Sequence, residues 1–428
     1  MQGKKILLKL AKKLACIFIP LLLLSTLTCT SFEFFLDFPI VRFTHTFFVL
    51  KQQSSGSFYN KYNDFPVKKS NKNAEVVVFF IGESARGDHL ALNGYQRNTT
   101  QYTQNIKNIM SFKDSIPCQM STGASTPCML HGNDYFKEYG QAPKQSSVIT
   151  WFYHAGYDIY YISTGPQDVL DGVKFDIKYI KKIVLSKNAL TQNYRKSSDL
   201  NLVTELESVL KIDEKPKFIV MNGVGSHYNY DGLVDVSYYE KIKDLPLQNG
   251  DLNVDYSKNN APYCSLHKNK KYKDIVDWYD ATILETDHVV ANITKVLSNY
   301  NSLFLYASDH GESFGERGQP CVHGWSSKEI WNVAFIVWVS DKYIKLNNAK
   351  YNNIVGNYKK INNKTLPPAT HGNIFHTLLQ CSGIETGAIN PDFSLCNKSM
   401  LPTASVQKCS RYDITTQECF YEGYEKYQ

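Results

Sequence analysis

A run of β-branched and aromatic residues recurs along the chain and constrains its fold more than any other feature. The first copy spans residues 75–82, reads EVVVFFIG and ends on glycine. A continuous apolar run of this length is typical of a strand that is buried on both faces of a parallel sheet. Comparable runs cover residues 157–163, 217–222, 302–308 and 333–339.

Amphipathic segments, such as residues 200–210 and 275–297, separate these runs. Strands that alternate with helices predict an α/β domain with a mostly parallel central sheet and helices on both faces. A chain of 428 residues has room for one large domain of this kind. We place the α/β domain at residues 73–400 and expect a polar tail with a disulfide loop at residues 401–428.

The N-terminal 32 residues have the layout of a membrane signal. Five lysines come first, and an uncharged, largely apolar stretch at residues 14–32 follows them. A stretch of about 20 apolar residues is long enough to span a bilayer, and lysines on its N-terminal side keep that end in the cytoplasm. We predict one transmembrane anchor at residues 1–32, an interfacial segment and linker at residues 33–72, and an exported remainder. A cleaved secretory signal is the alternative.

The net charge of +7 does not indicate a nucleic-acid partner. The five lysines of the anchor account for most of it, since they leave 42 of the 47 basic residues against 40 acidic ones. We therefore predict a membrane protein without a nucleic-acid partner.

The cysteine count agrees with export. Eight of the ten cysteines lie beyond the anchor, and an even number in an exported chain indicates disulfides. Eight cysteines allow on the order of 100 pairings, so only the short-range pair Cys118–Cys128 is predicted firmly. Pairing of near neighbours would further give Cys381–Cys396, Cys409–Cys419 and Cys264–Cys321.

Carboxylate and imidazole side chains follow three of the predicted strands. They are Glu83, His227, Asp309, His310 and His323. The carboxyl ends of parallel strands meet at one edge of a sheet, where ligands bind in open α/β folds. Because these residue types are the usual zinc ligands, together they predict a metal site. Taken singly, each has a structural alternative, as a helix-end carboxylate, an N-cap or a satisfied histidine.

The remaining histidines of the exported domain lack such a context, and we expect them to be structural. They are His89, His131, His154, His267, His288, His371 and His376.

A hydroxyl-rich loop between Cys118 and Cys128 offers a nucleophile. Its candidates are Ser121, Thr122, Ser125 and Thr126. A metal ion lowers the pKa of a hydroxyl and so activates it for attack. The structural alternative is a turn that caps the following helix. Residue chemistry alone does not choose among the four hydroxyls.

Four motifs in this order resemble those of one enzyme family. They are Gly82–Arg86 with Asn93-Gly94-Tyr95 and Arg97-Asn98-Thr99, the Cys118–Cys128 loop, Tyr279–Thr282 through Asp287, and Ser308–Ser313 with Gly315-Glu316 and His323-Gly324. The chain thereby resembles the bacterial phosphoethanolamine transferases of the alkaline phosphatase/sulfatase superfamily over about residues 73–385. The resemblance implies an alkaline phosphatase/sulfatase-like sandwich and a bacterial inner-membrane enzyme with a periplasmic catalytic domain.

The resemblance also implies a set of residue roles. Thr122 is the implied nucleophile, and Glu83, Thr122, Asp309 and His310 would hold Zn²⁺. His227 and His323 would bind the donor phosphate or a second zinc. The implied reaction moves phosphoethanolamine from phosphatidylethanolamine to lipid A or another lipopolysaccharide or envelope glycan through a phospho-threonine. The identity of the acceptor and the number of zinc ions stay open.

The chain departs from the family pattern in three places. It has one candidate membrane segment where typical members have several. Asn222 stands where many members have histidine, and Tyr228-Asn229 replaces a Gly-Pro pair. The interval from His310 to His323 is longer by about one residue, which bears on the second metal or acceptor site.

Two other functions compete with this interpretation. A phosphodiesterase or phosphoglycerol transferase of the same superfamily would use the same residues. A noncatalytic, anchored glycan-binding protein would suit the 29 tyrosines but leaves the joint placement of the motifs unexplained. A sulfatase needs a Cys or Ser in a C/S-x-P-x-R motif for conversion to formylglycine. Neither Cys118 nor Cys128 begins such a motif, so a sulfatase is disfavoured.

Overall fold

A seven-stranded mixed sheet forms the centre of the computed structural model. The strands of the chain are β1 (Lys68–Lys69), β2 (Val76–Gly82), β3 (Ile109–Ser111), β4 (Asp158–Ser163), β5 (Ile180–Leu185), β6 (Lys217–Asn222), β7 (Ser302–Ser308), β8 (Ser313–Phe314), β9 (Cys321–Val322), β10 (Phe335–Val339), β11 (Ile384–Glu385), β12 (Arg411–Asp413) and β13 (Glu418–Phe420). Seven of these strands form the central sheet, in the order β3-β10-β7-β2-β6-β4-β5.

The structure describes residues 66–400 together with the short segments 411–413 and 418–420. Within the first range it leaves out residues 71–73, 133–145, 166–175, 187–197, 248–255, 257–262, 269, 317–318 and 326. All described residues belong to one compact unit that extends over Tyr62–Gln428.

The sheet is mostly parallel, as the sequence predicts. Strands β7, β2, β6, β4 and β5 pair in parallel with their neighbours. Strand β10 runs antiparallel to both β7 and β3, so the sheet is mixed at that side. The predicted runs at 217–222 and 302–308 coincide with β6 and β7, and the other three runs match β2, β4 and β10 within two residues.

The two faces of the sheet bury alternate side chains of the same strands. On β2, Val77, Phe79 and Ile81 join one apolar cluster, while the residues between them join the cluster on the opposite face. All seven residues of β2 are buried, which explains why its sequence shows no polar alternation.

Helices cover both faces. They are α1 (Thr122–His131), α2 (Val148–His154), α3 (Asn201–Leu210), α4 (Val236–Ile242), α5 (Tyr272–Leu297), α6 (Asp341–Leu346), α7 (Asn348–Asn362) and α8 (Gly372–Cys381). Helices α3 and α5 pack on one face, and α2, α7 and α8 pack on the other. This arrangement confirms the predicted α/β architecture.

Three predicted disulfides are present in the described residues. They are Cys118–Cys128, Cys264–Cys321 and Cys381–Cys396. The pairing of Cys409 with Cys419 lies outside the described residues, as does the anchor predicted at residues 1–32. Among the described residues, no helix has both the length and the apolar character that a bilayer crossing requires. The boundaries assigned at residues 32, 72 and 400 stay predictions.

Candidate active site

The candidate site lies at the edge of the sheet where β2 and β7 end. Gly82 and Ser308 are register partners in these adjacent strands, so Glu83 and Asp309 leave the sheet side by side. The backbone N–H of Asp309 donates to the Gly82 carbonyl at 3.1 Å, which extends the pairing by one residue. Both carboxylates are fully buried. The topology therefore brings two acidic groups together that are over 200 positions apart in the chain.

Thr122 faces these carboxylates from the first turn of α1. Its Oγ1 donates to Glu83 Oε2 at 3.0 Å and lies 3.3 Å from His310 Nε2. The Cys118–Cys128 disulfide closes the loop that carries Thr122. Because α1 begins at this residue, its unpaired N–H groups and helix dipole place partial positive charge beside the hydroxyl. That arrangement suits an attack on a phosphate group.

Among the four hydroxyls of the loop, that of Thr122 bonds to Glu83. Ser125 Oγ is buried and bonds to both the N–H and the carbonyl of Gln119. Thr126 Oγ1 donates to the Thr122 carbonyl at 2.9 Å. Ser121 is the residue that precedes the helix. Only the Thr122 hydroxyl is aimed at the carboxylates, so the hydroxyl that the family resemblance implies is also the one that the geometry favours.

A buried histidine ties the Thr122 loop to the end of β7. His371 Nδ1 accepts from the Cys118 N–H at 3.0 Å, and its Nε2 donates to the Ser308 carbonyl at 2.8 Å. Burial lowers the pKa of His371 to about 4, so the neutral ring keeps one acceptor and one donor nitrogen. Both ring nitrogens of His371 thus bond to backbone groups, and these two bonds fix the Cys118–Cys128 loop relative to Asp309.

The chemistry of the donor set fits a divalent cation. Asp309 Oδ2 is buried and has no hydrogen-bond partner among the described residues, while Oδ1 accepts from the Ser84 N–H at 3.0 Å. Burial and the neighbouring Asp309 raise the pKa of Glu83 well above its usual range. Two buried carboxylates this close repel each other, and a cation between them would remove that repulsion.

Histidines complete the donor set. His310 Nδ1 donates to the Gly311 carbonyl at 2.9 Å, which leaves the Nε2 lone pair facing Glu83 and Asp309 at 3.4 and 3.2 Å. Burial lowers the pKa of His310 to about 4, so its ring is a neutral ligand. Ligand atoms of Glu83, His310 and His323 all lie within 4.8 Å of one another. Most metal-binding histidines are oriented in the same way as His310, by a hydrogen bond from the ring nitrogen that does not face the metal.

His323 and His227 stand on the open side of the site. Their ring centroids are 5.2 Å apart, and that of His323 is 4.2 Å from that of His310. Although burial disfavours its charged form, the carboxylate of Glu312, 2.9 Å away, raises the pKa of His323 to about 9. Burial and the charge of His323 lower the pKa of His227.

The six residues predicted from the sequence therefore share one site. His323 lies nearer to Glu83 and His310 than its assignment to a second site implies, because the β8–β9 hairpin folds it back over the first. The backbone next to Glu83 and next to His323 is unusual. Ser84 follows Glu83, Val322 precedes His323, and both have φ near +55 to +60°. Positive φ is costly for a β-branched residue, and such strain is concentrated at functional sites.

Sequence reasoning missed three supporting residues. Glu312 holds His323 and accepts from the Tyr230 hydroxyl at 2.8 Å. Ser84 donates its hydroxyl to Glu83 Oε1 at 2.8 Å. Glu312 and Ser84 stand inside recognised motifs, which was the available signal, but nothing in the sequence pointed to Tyr230.

The Tyr279-Asp280 motif on α5 bonds to the residues that follow β2. Tyr279 accepts from the Arg86 N–H at 2.8 Å and donates to the Ser84 carbonyl at 2.6 Å, which holds the turn after β2. Asp280 is fully buried and pairs with Arg97 at 2.7 Å and with His89 at 2.6 Å. This network explains why one of the four recognised motifs, Tyr279–Thr282 through Asp287, contributes no candidate metal ligand.

Comparisons with known proteins agree with this geometry. The sequence model of the family described as Sulfatase matches residues 75–384. Kdo(2)-lipid A phosphoethanolamine 7''-transferase of Salmonella typhimurium is 26% identical over 338 residues, which is 75% of this chain and 54% of the relative. Phosphatidylethanolamine transferase Mcr-1 of Escherichia coli is 27% identical over 292 residues, 63% of this chain and 49% of the relative. The chain thus spans about half the length of these relatives.

Solved structures share the fold. The C-terminal periplasmic domain of EptC from Escherichia coli, in complex with Zn, aligns with a TM-score of 0.64 at 19% identity and covers 80% of this chain and 92% of that domain. The corresponding domain of EptC from Campylobacter jejuni gives a TM-score of 0.59 at 22% identity, with 76% and 94% covered. Because the Sulfatase match extends over most of its length, the chain belongs to the sulfatase family.

Proposed function

We propose that the protein is a zinc-dependent phosphoethanolamine transferase that works through a phospho-threonine. The observation that carries this proposal is the position of Thr122 Oγ1, at a helix N-terminus and within 3.0 Å of Glu83 and 3.3 Å of His310. The names of the curated relatives support phosphatidylethanolamine as the donor and a lipid A or related envelope glycan as the acceptor.

In the first displacement, the Thr122 oxygen attacks the phosphorus of phosphatidylethanolamine. The new P–O bond forms as the bond to the diacylglycerol oxygen breaks, and phosphoethanolamine stays on Thr122. The hydroxyl proton leaves along the bond to Glu83, and the diacylglycerol oxygen takes a proton from His323, which Glu312 keeps charged. The rings of His227 and His323, whose centroids are 5.2 Å apart, would lie beside the phosphoryl oxygens.

In the second displacement, an acceptor hydroxyl or phosphate attacks the same phosphorus. A hydroxyl acceptor gives its proton to His323, and the Thr122 oxygen leaves and takes back the proton that Glu83 had accepted. Splitting one transfer into two displacements predicts ping-pong kinetics.

Four residues, Glu83, Thr122, Asp309 and His310, would hold the zinc, with His323 beside them. A bound zinc supplies positive charge that favours the deprotonated hydroxyl and offsets the charge on the phosphoryl oxygens. The anchor and the periplasmic location belong to the same proposal, because donor and acceptor are both envelope molecules.

Sulfatase chemistry is disfavoured by the disulfide in the nucleophile loop. Both Cys118 and Cys128 are bonded to each other, so neither is free for conversion to formylglycine. A phosphodiesterase on the same fold differs only in its acceptor, water.

Mass spectrometry tests the proposal directly. The full chain, purified in detergent and loaded with zinc, is incubated with phosphatidylethanolamine, and its peptides are searched for a phosphoethanolamine adduct. We expect the adduct on Thr122 and its loss in Thr122→Ala. Thr126→Ala is the matched control and should keep it, because the Thr126 hydroxyl bonds to the helix backbone. A zinc-loaded protein without any adduct contradicts the mechanism, and water as the only acceptor favours the phosphodiesterase.

A further inference from the structure

Four large apolar side chains are exposed around the mouth of the site. They are Tyr228, Tyr263, Leu266 and Trp325, with 38, 54, 44 and 40% of their surface exposed, and we call them the aromatic rim. Soluble proteins rarely gather exposed apolar residues in one place unless that surface has a partner.

The rim is continuous with the active site. Tyr228 follows His227, and it lines a cleft of about 230 Å³ together with Leu266. The rings of Tyr263 and Trp325 have centroids 6.3 Å apart, and Trp325 comes two residues after His323.

A disulfide connects the two sides of the rim. Cys264 lies beside Tyr263 and bonds to Cys321, which is in the strand that leads to His323. The rim therefore moves with the histidines of the site rather than as a separate loop.

The charge next to the rim is positive. Lys268, Lys270 and Lys271 are exposed in the stretch that follows Leu266, and residues 263–271 contain no carboxylate. Lys270 pairs with Asp231 at 3.1 Å, which leaves the other two lysines to face solvent. Exposed lysines of this kind are attracted to anionic lipid headgroups.

The aromatic rim and its lysines have the composition of a membrane-interface segment, in which tyrosine and tryptophan lie beside lysine. Aromatic side chains with a polar edge favour the headgroup region, where one end is apolar and the other is wet. We propose that the aromatic rim docks the active site on the surface of a bilayer that contains anionic phospholipid. This proposal rests on the proposed function, because the phosphorus that Thr122 attacks then lies in the same headgroup layer.

The test compares two donors on the same full-chain protein. One is long-chain phosphatidylethanolamine in vesicles that also contain phosphatidylglycerol, and the other is short-chain phosphatidylethanolamine dissolved as monomers. The triple variant Tyr263→Ser/Leu266→Ser/Trp325→Ser should form the Thr122 adduct at least about tenfold more slowly with vesicles and at the wild-type rate with monomers.

The matched control is Ile212→Ser/Val236→Ser/Leu346→Ser, which removes three side chains of similar exposure on other elements. It should leave both rates unchanged. Equal loss with both donors, or with the control, overturns the docking proposal, whereas the absence of any adduct in wild type contradicts the proposed function instead.

Two further measurements identify the surface that the rim contacts. Bromine-labelled lipids should quench part of the tryptophan fluorescence, and Trp325→Phe should abolish that part. Lys268→Gln/Lys271→Gln should lower the vesicle rate by at least about fivefold with phosphatidylglycerol present and little in its absence. No quenching from Trp325, as expected if a protein or a second copy covers the rim, overturns the proposal.

Discussion

His371 offers the sharpest test of how Thr122 is positioned. His371→Ala removes the acceptor of the Cys118 N–H and the donor to the Ser308 carbonyl, and both groups are buried. A buried backbone group without a partner costs about 1–3 kcal/mol, so the free energy of unfolding should fall by about 2–6 kcal/mol. At about 2 °C per kcal/mol for a domain of this size, Tm should fall by about 4–12 °C.

The same change should slow catalysis in the molecules that remain folded. The Thr122 loop loses its bond to the end of β7, and a displacement of about 1 Å at a reacting atom costs about 100-fold in rate. The assay is the initial rate of adduct formation on Thr122, measured well below the Tm of the variant.

Two amide variants separate the two bonds. The His371→Asn amide lies near the Nδ1 position and keeps a partner for Cys118, whereas the His371→Gln amide reaches toward Ser308. If the bond to the loop governs catalysis, Asn should retain more activity than Gln at similar Tm. His154→Ala is the control, because His154 is exposed and its loss should cost under about 0.5 kcal/mol. An alanine variant of His371 with unchanged Tm and unchanged adduct rate refutes this account.

Burial raises the pKa of Glu285 to about 8, so the folded state holds a proton that the unfolded chain releases above pH about 4.5. Stability should therefore fall as pH rises from about 4.5 to about 8, and Glu285→Gln should flatten that slope in urea titrations; an unchanged slope contradicts the assignment. Zinc at a hundredfold excess over its Kd should stabilise the protein by about 2.7 kcal/mol in thermal melts, and Asp309→Asn should remove most of this gain; equal stabilisation of the variant contradicts the ligand assignment. Cys264→Ser/Cys321→Ser removes the disulfide that joins residues 57 positions apart, and should lower the free energy of unfolding by about 4 kcal/mol in urea titrations. A loss under about 1 kcal/mol contradicts this prediction.

The sequence predicted the central strands well, for a physical reason. Strands β6 and β7 are buried on both faces, so apart from Lys217 and Asn222 at the two ends of β6 their residues are apolar or small. The strand β5 at the sheet edge was missed, because its half-exposed residues IKKIVL carry no such run. Strand β3 was missed because three residues give no period to detect.

The site was predictable where its residues follow strands and less so where loops place them. Glu83 and Asp309 stand directly after β2 and β7, so sheet topology alone brings them together. The position of His323 depends on the turn from β8 to β9, and spacing from His310 does not define that turn. The role of His371 was hidden for a similar reason, since its partners are backbone groups, which any sequence provides.

The start of α1 at Thr122 makes the length of the preceding loop more important than its composition. Each residue added to or removed from a helix rotates the following side chains by about 100° and shifts them by about 1.5 Å. If α1 keeps its starting point in the fold, an insertion between Cys118 and Thr122 moves Thr122 one position along the helix and turns its hydroxyl away from Glu83, even with every side chain kept. Substitutions at Met120, which is only half-buried, change neither the rotation nor the axial position of Thr122. Natural or engineered variants of this protein should therefore accept replacements in the loop far more readily than insertions or deletions.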